Sequence, residues 1–138
     1  MSDLARFSVS VERPLFERLE RLVRESDYRN RSEFIRDLVR DRLVEQEWQT
    51  EREALGILSL LYDHHARGLS ERLTHAQHHF SGQVLATTHV HLDARLCAEM
   101  IMLRGPGRAI RALADRLRRE RGVLHAGLVA GTTGRALR

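Results

Sequence analysis

Residues 89–97 read HVHLDARLC: two histidines one residue apart, then the chain's single cysteine. Imidazole nitrogen and thiolate sulfur are the side-chain donors that hold borderline and soft transition metals. Both residues also have ordinary roles, a histidine as a solvated group on a sheet face and a lone cysteine as core packing. What separates the readings is whether the chain brings them onto one face. Along a strand, residues two apart point the same way, so His89 and His91 share a side and Val90 and Leu92 take the other. If the chain turns back through Asp93, Ala94 and Arg95, Leu92 pairs with Leu96. His91 then faces Cys97, and His89 faces Glu99, because paired residues of a hairpin lie on one face. A turn one residue longer or shorter would scatter the group.

The chain carries eight histidines, and His75, His78 and His79 cluster at the end of the preceding helical segment. At roughly 100° per residue, His78 lies about 180° from Leu69 and about 140° from Leu73. It therefore points away from its own core and could ligate a metal held by another subunit. Three imidazoles and one thiolate would suit zinc in a tetrahedral arrangement, and nickel or copper(II) in a planar one. Spacing alone does not choose. His64, His65 and His125 have no assigned role. A catalytic reading, with Cys97 as nucleophile, needs a general base and oxyanion donors. Nothing in the sequence marks them, so the protein is not expected to be an enzyme.

The elements that must position these residues fall into two groups. In RFSVSV, residues 6–11, Phe7, Val9 and Val11 alternate with Arg6, Ser8 and Ser10, the period of a half-buried strand. Pro14 fits the first turn of a helix carrying Leu15, Leu19, Leu22 and Val23. Asn30 and Glu33 have capping-box spacing, with Ser32 a rival cap. A second helix follows with Phe34, Ile35, Leu38, Val39 and Leu43 on one face. A lone six-residue strand needs a partner, and the economical one is the same strand of a second chain. Two such strands form a ribbon whose outer face, Arg6, Ser8 and Ser10, can enter the DNA major groove. After residue 48 the pattern changes. ALGILSLLYDHH reads as a strand, GLSERLTHAQHHF as a helix, QVLATTHVHLD and RLCAEMIMLRG as strands, PGRAIRALADRLRRERG as a helix and VLHAGLVAG as a strand. The order β-α-β-β-α-β is the ferredoxin-like arrangement. The expected fold class is α+β. A ribbon-helix-helix domain for DNA binding and dimerisation occupies residues 1–48. A ferredoxin-like, metal-binding domain occupies residues 49–138.

Composition is consistent with this. The chain has 138 residues, 42% hydrophobic and 30% charged, a globular composition whose length alone fits about one domain. All 23 basic residues are arginine and the formal net charge is +4. The first fifty residues are close to neutral, so a DNA-binding case rests on where the arginines point rather than on bulk charge. One cysteine cannot form an intrachain disulfide and fits a reducing compartment. No stretch approaches the ~20 apolar residues of a membrane span, and the N-terminus lacks a signal-peptide run. A cytoplasmic protein without membrane contact is expected.

The combination of strand-helix-helix, a βαββαβ domain and H-x-H-x5-C resembles the NikR family of nickel-responsive transcriptional regulators. NRSEFIRD, QHH, ATTHVHLD and CAE carry the resemblance, which extends from Ala5 to Gly131. It implies a homotetramer, a dimer of dimers with the metal domains at the centre. It implies one Ni(II) per subunit in a planar site of His89, His91 and Cys97 from one subunit and His78 from another. Glu99 and Tyr62 match residues that support the ligands from behind. Glu33 and Asp37 match a second cation site, for potassium, between the two domains, although ion pairing with Arg36 or Arg40 would explain them as well. Arg6, Ser8 and Ser10 match base-reading positions. The sequence departs from the family at Phe80, where some relatives continue the histidine run. It departs again at Ala66, where a relative can carry a basic residue that touches phosphate; Arg67 remains. The expected function is nickel-dependent repression through palindromic operator half-sites, with nickel-uptake genes as targets. The alternative is a metal-independent ribbon-helix-helix protein whose second domain senses a small molecule.

Overall fold

A computed structural model describes residues 3–137. The chain forms two compact units, Met1–Arg40 and Asp41–Arg138, and the division falls inside a helix. In the first unit, residues 3–12 form neither helix nor ladder within the chain. Phe7 and Val9 are 74% and 66% exposed. The alternation is that of a strand, but a strand of this length needs a neighbour to pair with. Helix α1, Arg13–Glu25, starts with Pro14 in its first turn, where the missing N–H has no intrahelical partner to lose. Helix α2 is Arg31–Gln49. The Glu33 backbone N–H donates to Asn30 Oδ1 at 3.0 Å, so Asn30 rather than Ser32 caps it. Val23 and Phe34 are buried, and the Tyr28 ring meets Phe34 edge-on at 5.2 Å.

The second unit contains β1 (Glu53–Asp63), α3 (Leu69–His78), β2 (Gln83–His91), β3 (Leu96–Pro106), α4 (Gly107–Arg118) and β4 (Val123–Ala130). All strand pairs are antiparallel and the sheet order is β2-β3-β1-β4, the ferredoxin-like topology. Burial alternates along β1 and β3. Leu58, Leu60 and Tyr62 on β1, and Cys97, Ile101 and Leu103 on β3, point to one face. There they form a single core with Leu69, Leu73 and Ala76 of α3 and Ile110, Leu113, Ala114 and Leu117 of α4. Each leucine or isoleucine among them contributes about 1.5–3 kcal/mol when removed from water.

The end of α2 belongs to this second core. Trp48 is buried, donates Nε1–H to the Gly131 carbonyl at 2.9 Å, and lies under the Arg111 guanidinium. Gly56 and Gly107 make room for it: a Cβ at Gly107 would stand 2.8 Å from Trp48 Cα, and one at Gly56 3.1 Å from the indole. The buried Glu47 carboxylate accepts the Thr132 hydroxyl at 2.9 Å.

Candidate metal centre

The β2-β3 hairpin has the register that the sequence pattern requires. His91 pairs with Cys97, His89 with Glu99, and on the other side of β3 Tyr62 pairs with Cys97. The turn is set by Asp93, whose Oδ1 accepts the backbone N–H of Arg95 at 2.7 Å and of Leu96 at 2.8 Å. That local acceptor holds the loop at the length which brings the two histidines opposite Cys97 and Glu99. The hairpin end is tied to β1. The His64 N–H donates to the Arg95 carbonyl at 2.9 Å, and Arg95 pairs with Asp63 at 2.7 Å.

Strand β2 is an edge strand and is exposed along its whole length, whereas β3 lies inside the sheet. The donor group therefore straddles a boundary: Cys97 is fully buried and Glu99 nearly so, while His89 and His91 are exposed beside them. Cys97 Sγ and His91 Nδ1 are 3.1 Å apart. The rings of His89 and His91 are 5.1 Å apart, centroid to centroid. His64 approaches from the end of β1, its ring 5.3 Å from that of His91. Among the described residues, His64, His91 and Cys97 form a group whose ligand atoms all lie within 4.8 Å of one another.

Behind this row lies a set of hydrogen-bonded polar groups. Burial raises the Tyr62 phenol to about 12, with the Glu99 and Cys97 charges adding to the effect. Tyr62 thus keeps its proton, and the neighbouring Glu99 carboxyl reinforces that. The Tyr62 hydroxyl is also 3.3 Å from His89 Nδ1. That contact occupies Nδ1, so Nε2 is the ring nitrogen left for a metal. Burial also raises Glu99, against the lowering pull of His89, Tyr62 and Gln77. Burial likewise raises the Cys97 thiol, with Glu99 and Asp93 adding to it. A hydrogen bond spans the 3.1 Å between Cys97 Sγ and His91 Nδ1, where a cation would sit. Two donors converging on one proton, one of them a buried thiol, suit a borderline-soft metal that displaces the proton.

The remaining candidates lie elsewhere. His78 is exposed in the last turn of α3 and is outside the His64–His91–Cys97 group. Its neighbour Gln77 bonds Glu99. His79 donates Nδ1–H to the His75 carbonyl at 3.0 Å, which accounts for that pair as a helix-end contact. Asp37 accepts from Tyr28 Oη at 2.7 Å and from Arg40 at 3.2 Å; the Tyr28 hydroxyl is the main cause of its lowered pKa. Glu33 is half-buried at the start of α2. Arg6, Ser8 and Ser10 are exposed in the N-terminal segment, and Arg67 is exposed in the loop before α3. Sequence reasoning left His64 without a role and missed Gln77 as a partner of Glu99. The signal for His64 was there, because it continues the period-two face of Tyr62 one step beyond the end of β1.

Comparison with known proteins agrees with both units. Residues 5–46 match the family model described as ribbon-helix-helix protein, copG family. Residues 55–130 match the model described as NikR C terminal nickel binding domain. A protein of Geobacter sulfurreducens is 44% identical over 138 residues, 99% of each chain. One of Desulfovibrio desulfuricans is 45% identical over 137 residues, again 99% of each. Both bear the name "Putative nickel-responsive regulator". Among solved structures, an uncharacterized protein of Thermotoga maritima superposes with a TM-score of 0.52 at 18% identity, over 57% of this chain and 98% of its own. That likeness concerns the fold of the second unit. Fold, site and family models together define a two-part transcription regulator, a ribbon-helix-helix unit joined to a nickel-binding domain, and not an enzyme. The chain belongs to the NikR family of nickel-responsive regulators. Among the described residues no helix is long and apolar enough to cross a membrane.

Proposed function

We propose that the protein is a nickel-dependent repressor that binds operator DNA when Ni(II) occupies a site shared between subunits. His89, His91 and Cys97 of one subunit and His78 of another would supply the four donors, one nickel per subunit. The observation that carries this is the hairpin row: Cys97 Sγ 3.1 Å from His91 Nδ1, with His89 next along the same face. Glu99 and Tyr62 would fix the His89 ring, as groups behind ligand histidines do. The exposure of His78 supports a role outside its own protomer.

The assembly proposed is a homotetramer, a dimer of dimers. Two N-terminal segments would pair as a ribbon, burying Phe7, Val9 and Val11 and presenting Arg6, Ser8 and Ser10 to base edges, with Arg67 at phosphate. The second face of the sheet, with exposed Val90, Met100, Met102 and Val129, supports subunit contact in the metal domain. A donor set completed only between subunits links nickel to the arrangement of the ribbons, and so to palindromic half-sites. Nickel-uptake genes are the proposed targets. A potassium ion at Glu33 and Asp37 would share an Asp37 carboxylate that already accepts two hydrogen bonds. Division into domains 1–48 and 49–138 and a cytoplasmic location complete the reading. Electrophoretic mobility shift with defined metals tests it. Nickel should raise operator affinity strongly, and equal affinity with and without nickel would sink the proposal.

A further inference from the structure

We infer that Phe80 is a positioning residue for nickel: its ring pins the end of α3 to the sheet and so fixes His78, the donor that one subunit gives to another. The inference rests on the shared-site reading above and adds a residue which that reading does not use. The apolar anchors of α3 run out before His78. Leu69 and Leu73 are buried, Ala76 buries only a methyl group, and His78 and His79 are exposed. A helix end with no tertiary contact frays. The next apolar contact is Phe80, half-buried two residues beyond His78 and packed against the core. Its backbone N–H closes the last turn on the Gln77 carbonyl at 3.2 Å.

Two glycines make the seat of the ring. A Cβ at Gly82 would stand 2.6 Å from Phe80 Cε1 and 2.3 Å from the Arg104 carbonyl oxygen, and one at Gly105 would stand 3.4 Å from Phe80 Cζ. A side chain at Gly82 would therefore displace the ring or the strand beneath it. Arg104 is itself paired with Glu53 of β1 at 2.9 Å, so the seat belongs to the joined ends of β1 and β3. It lies at the end of the β2-β3 hairpin opposite the turn, where Gln83 pairs with Arg104, whereas His91 pairs with Cys97. The stretch of β3 from Cys97 to Arg104 spans roughly 23 Å, so the ring is well away from Cys97 and His91. Its effect on nickel must pass through the helix end. An end held by the ring presents His78 in one orientation, and a frayed end loses affinity to the cost of ordering it. Gln77 ties the same turn to Glu99, a second route that the test separates from the first.

The test is a double-mutant cycle on nickel affinity in the full-length protein, read by isothermal titration. Phe80→Ala should lower affinity roughly 10–100-fold, as the loss of a supporting residue does. Phe80→Leu, which keeps an apolar peg on the glycines, should recover most of it. In the His78→Ala background Phe80→Ala should cost nothing further, because the residue it positions is gone. Phe80→Val takes the place of the alanine variant if that chain does not fold. An unchanged affinity in Phe80→Ala, or the same loss with and without His78, overturns the inference; the ring would then act on the fold at large or through Gln77 and Glu99. The shared site fails by a different result, His78→Ala alone binding nickel as tightly as wild type, and that outcome overturns both.

Discussion

The two units differ in how they bury apolar surface. The second encloses a continuous core from sheet to helices, with Leu58, Leu69, Ile101, Ile110 and Leu117 fully removed from solvent. The first, among its described residues, buries only Val23 and Phe34 and leaves Phe7, Val9, Leu15, Leu22, Leu38 and Val39 open. Scattered exposed apolar residues are ordinary, but a unit with more apolar surface outside than inside is built to be covered. The second unit has a core of its own; the first has little buried among its described residues. The metal row repeats the contrast on a smaller scale, since it lies where a finished sheet meets an edge strand exposed on both faces.

The largest effect should come from breaking the complete unit. Trp48→Ala removes an indole held by a hydrogen bond, an arginine and two close glycines. It should cost about 3–5 kcal/mol in urea unfolding of the second unit. A cost near zero would mean that the end of α2 is not part of that core. The incomplete unit should fail differently. Val9→Asp places a charge at a position already exposed in one protomer, so it should spare protomer folding by circular dichroism. It should abolish assembly through the N-terminal segments, read by sedimentation at micromolar concentration. If Val9→Asp assembles normally, the apolar face of that segment is not what holds two chains together.

The same contrast decides what could be read from sequence. The second unit's element order, strand faces and hairpin register were legible, because a buried face imposes strict period two and a one-residue slip would turn Cys97 and Glu99 outward. The N-terminal strand was legible as a pattern, yet residues 3–12 make no ladder within the chain, since a period-two pattern does not say what a strand pairs with. His64 continues the period-two face of Tyr62, but what sets it beside His91 is a tertiary tie, the His64 N–H to the Arg95 carbonyl, and that tie is not in the period. Gln77 was missed for the same reason: its contact to Glu99 joins a helix end to a sheet position far along the chain.

Tyr62→Phe sharpens the comparison within the metal row. It keeps the ring that fills the core and deletes the hydroxyl that meets His89 Nδ1 and Glu99. Stability should change little, whereas nickel affinity should fall roughly 10–100-fold, the range for groups that orient a ligand from behind. Isothermal titration of nickel reads it, and an unchanged affinity would leave Tyr62 as core packing alone.

The smallest effect belongs to Glu99, and its sign is the informative part. Burial raises its pKa, so the folded protein holds the Glu99 proton more tightly than the unfolded chain does. The stability this gives is full below the ordinary carboxylate value of 4.5 and is lost as pH rises through the raised folded value. Above the ordinary carboxylate range, burying Glu99 therefore costs the metal-free fold stability. Glu99→Gln should make metal-free protein slightly more resistant to urea at pH 7, with the gain vanishing near pH 4. The same change should weaken nickel binding, because a neutral amide supports the cationic site less well than a carboxylate. Opposite signs in the two measurements would identify Glu99 as a residue whose stability cost is kept for the metal. Parallel losses would make Glu99 a structural group beside Tyr62, and β3 would then owe its buried acid to packing rather than to binding.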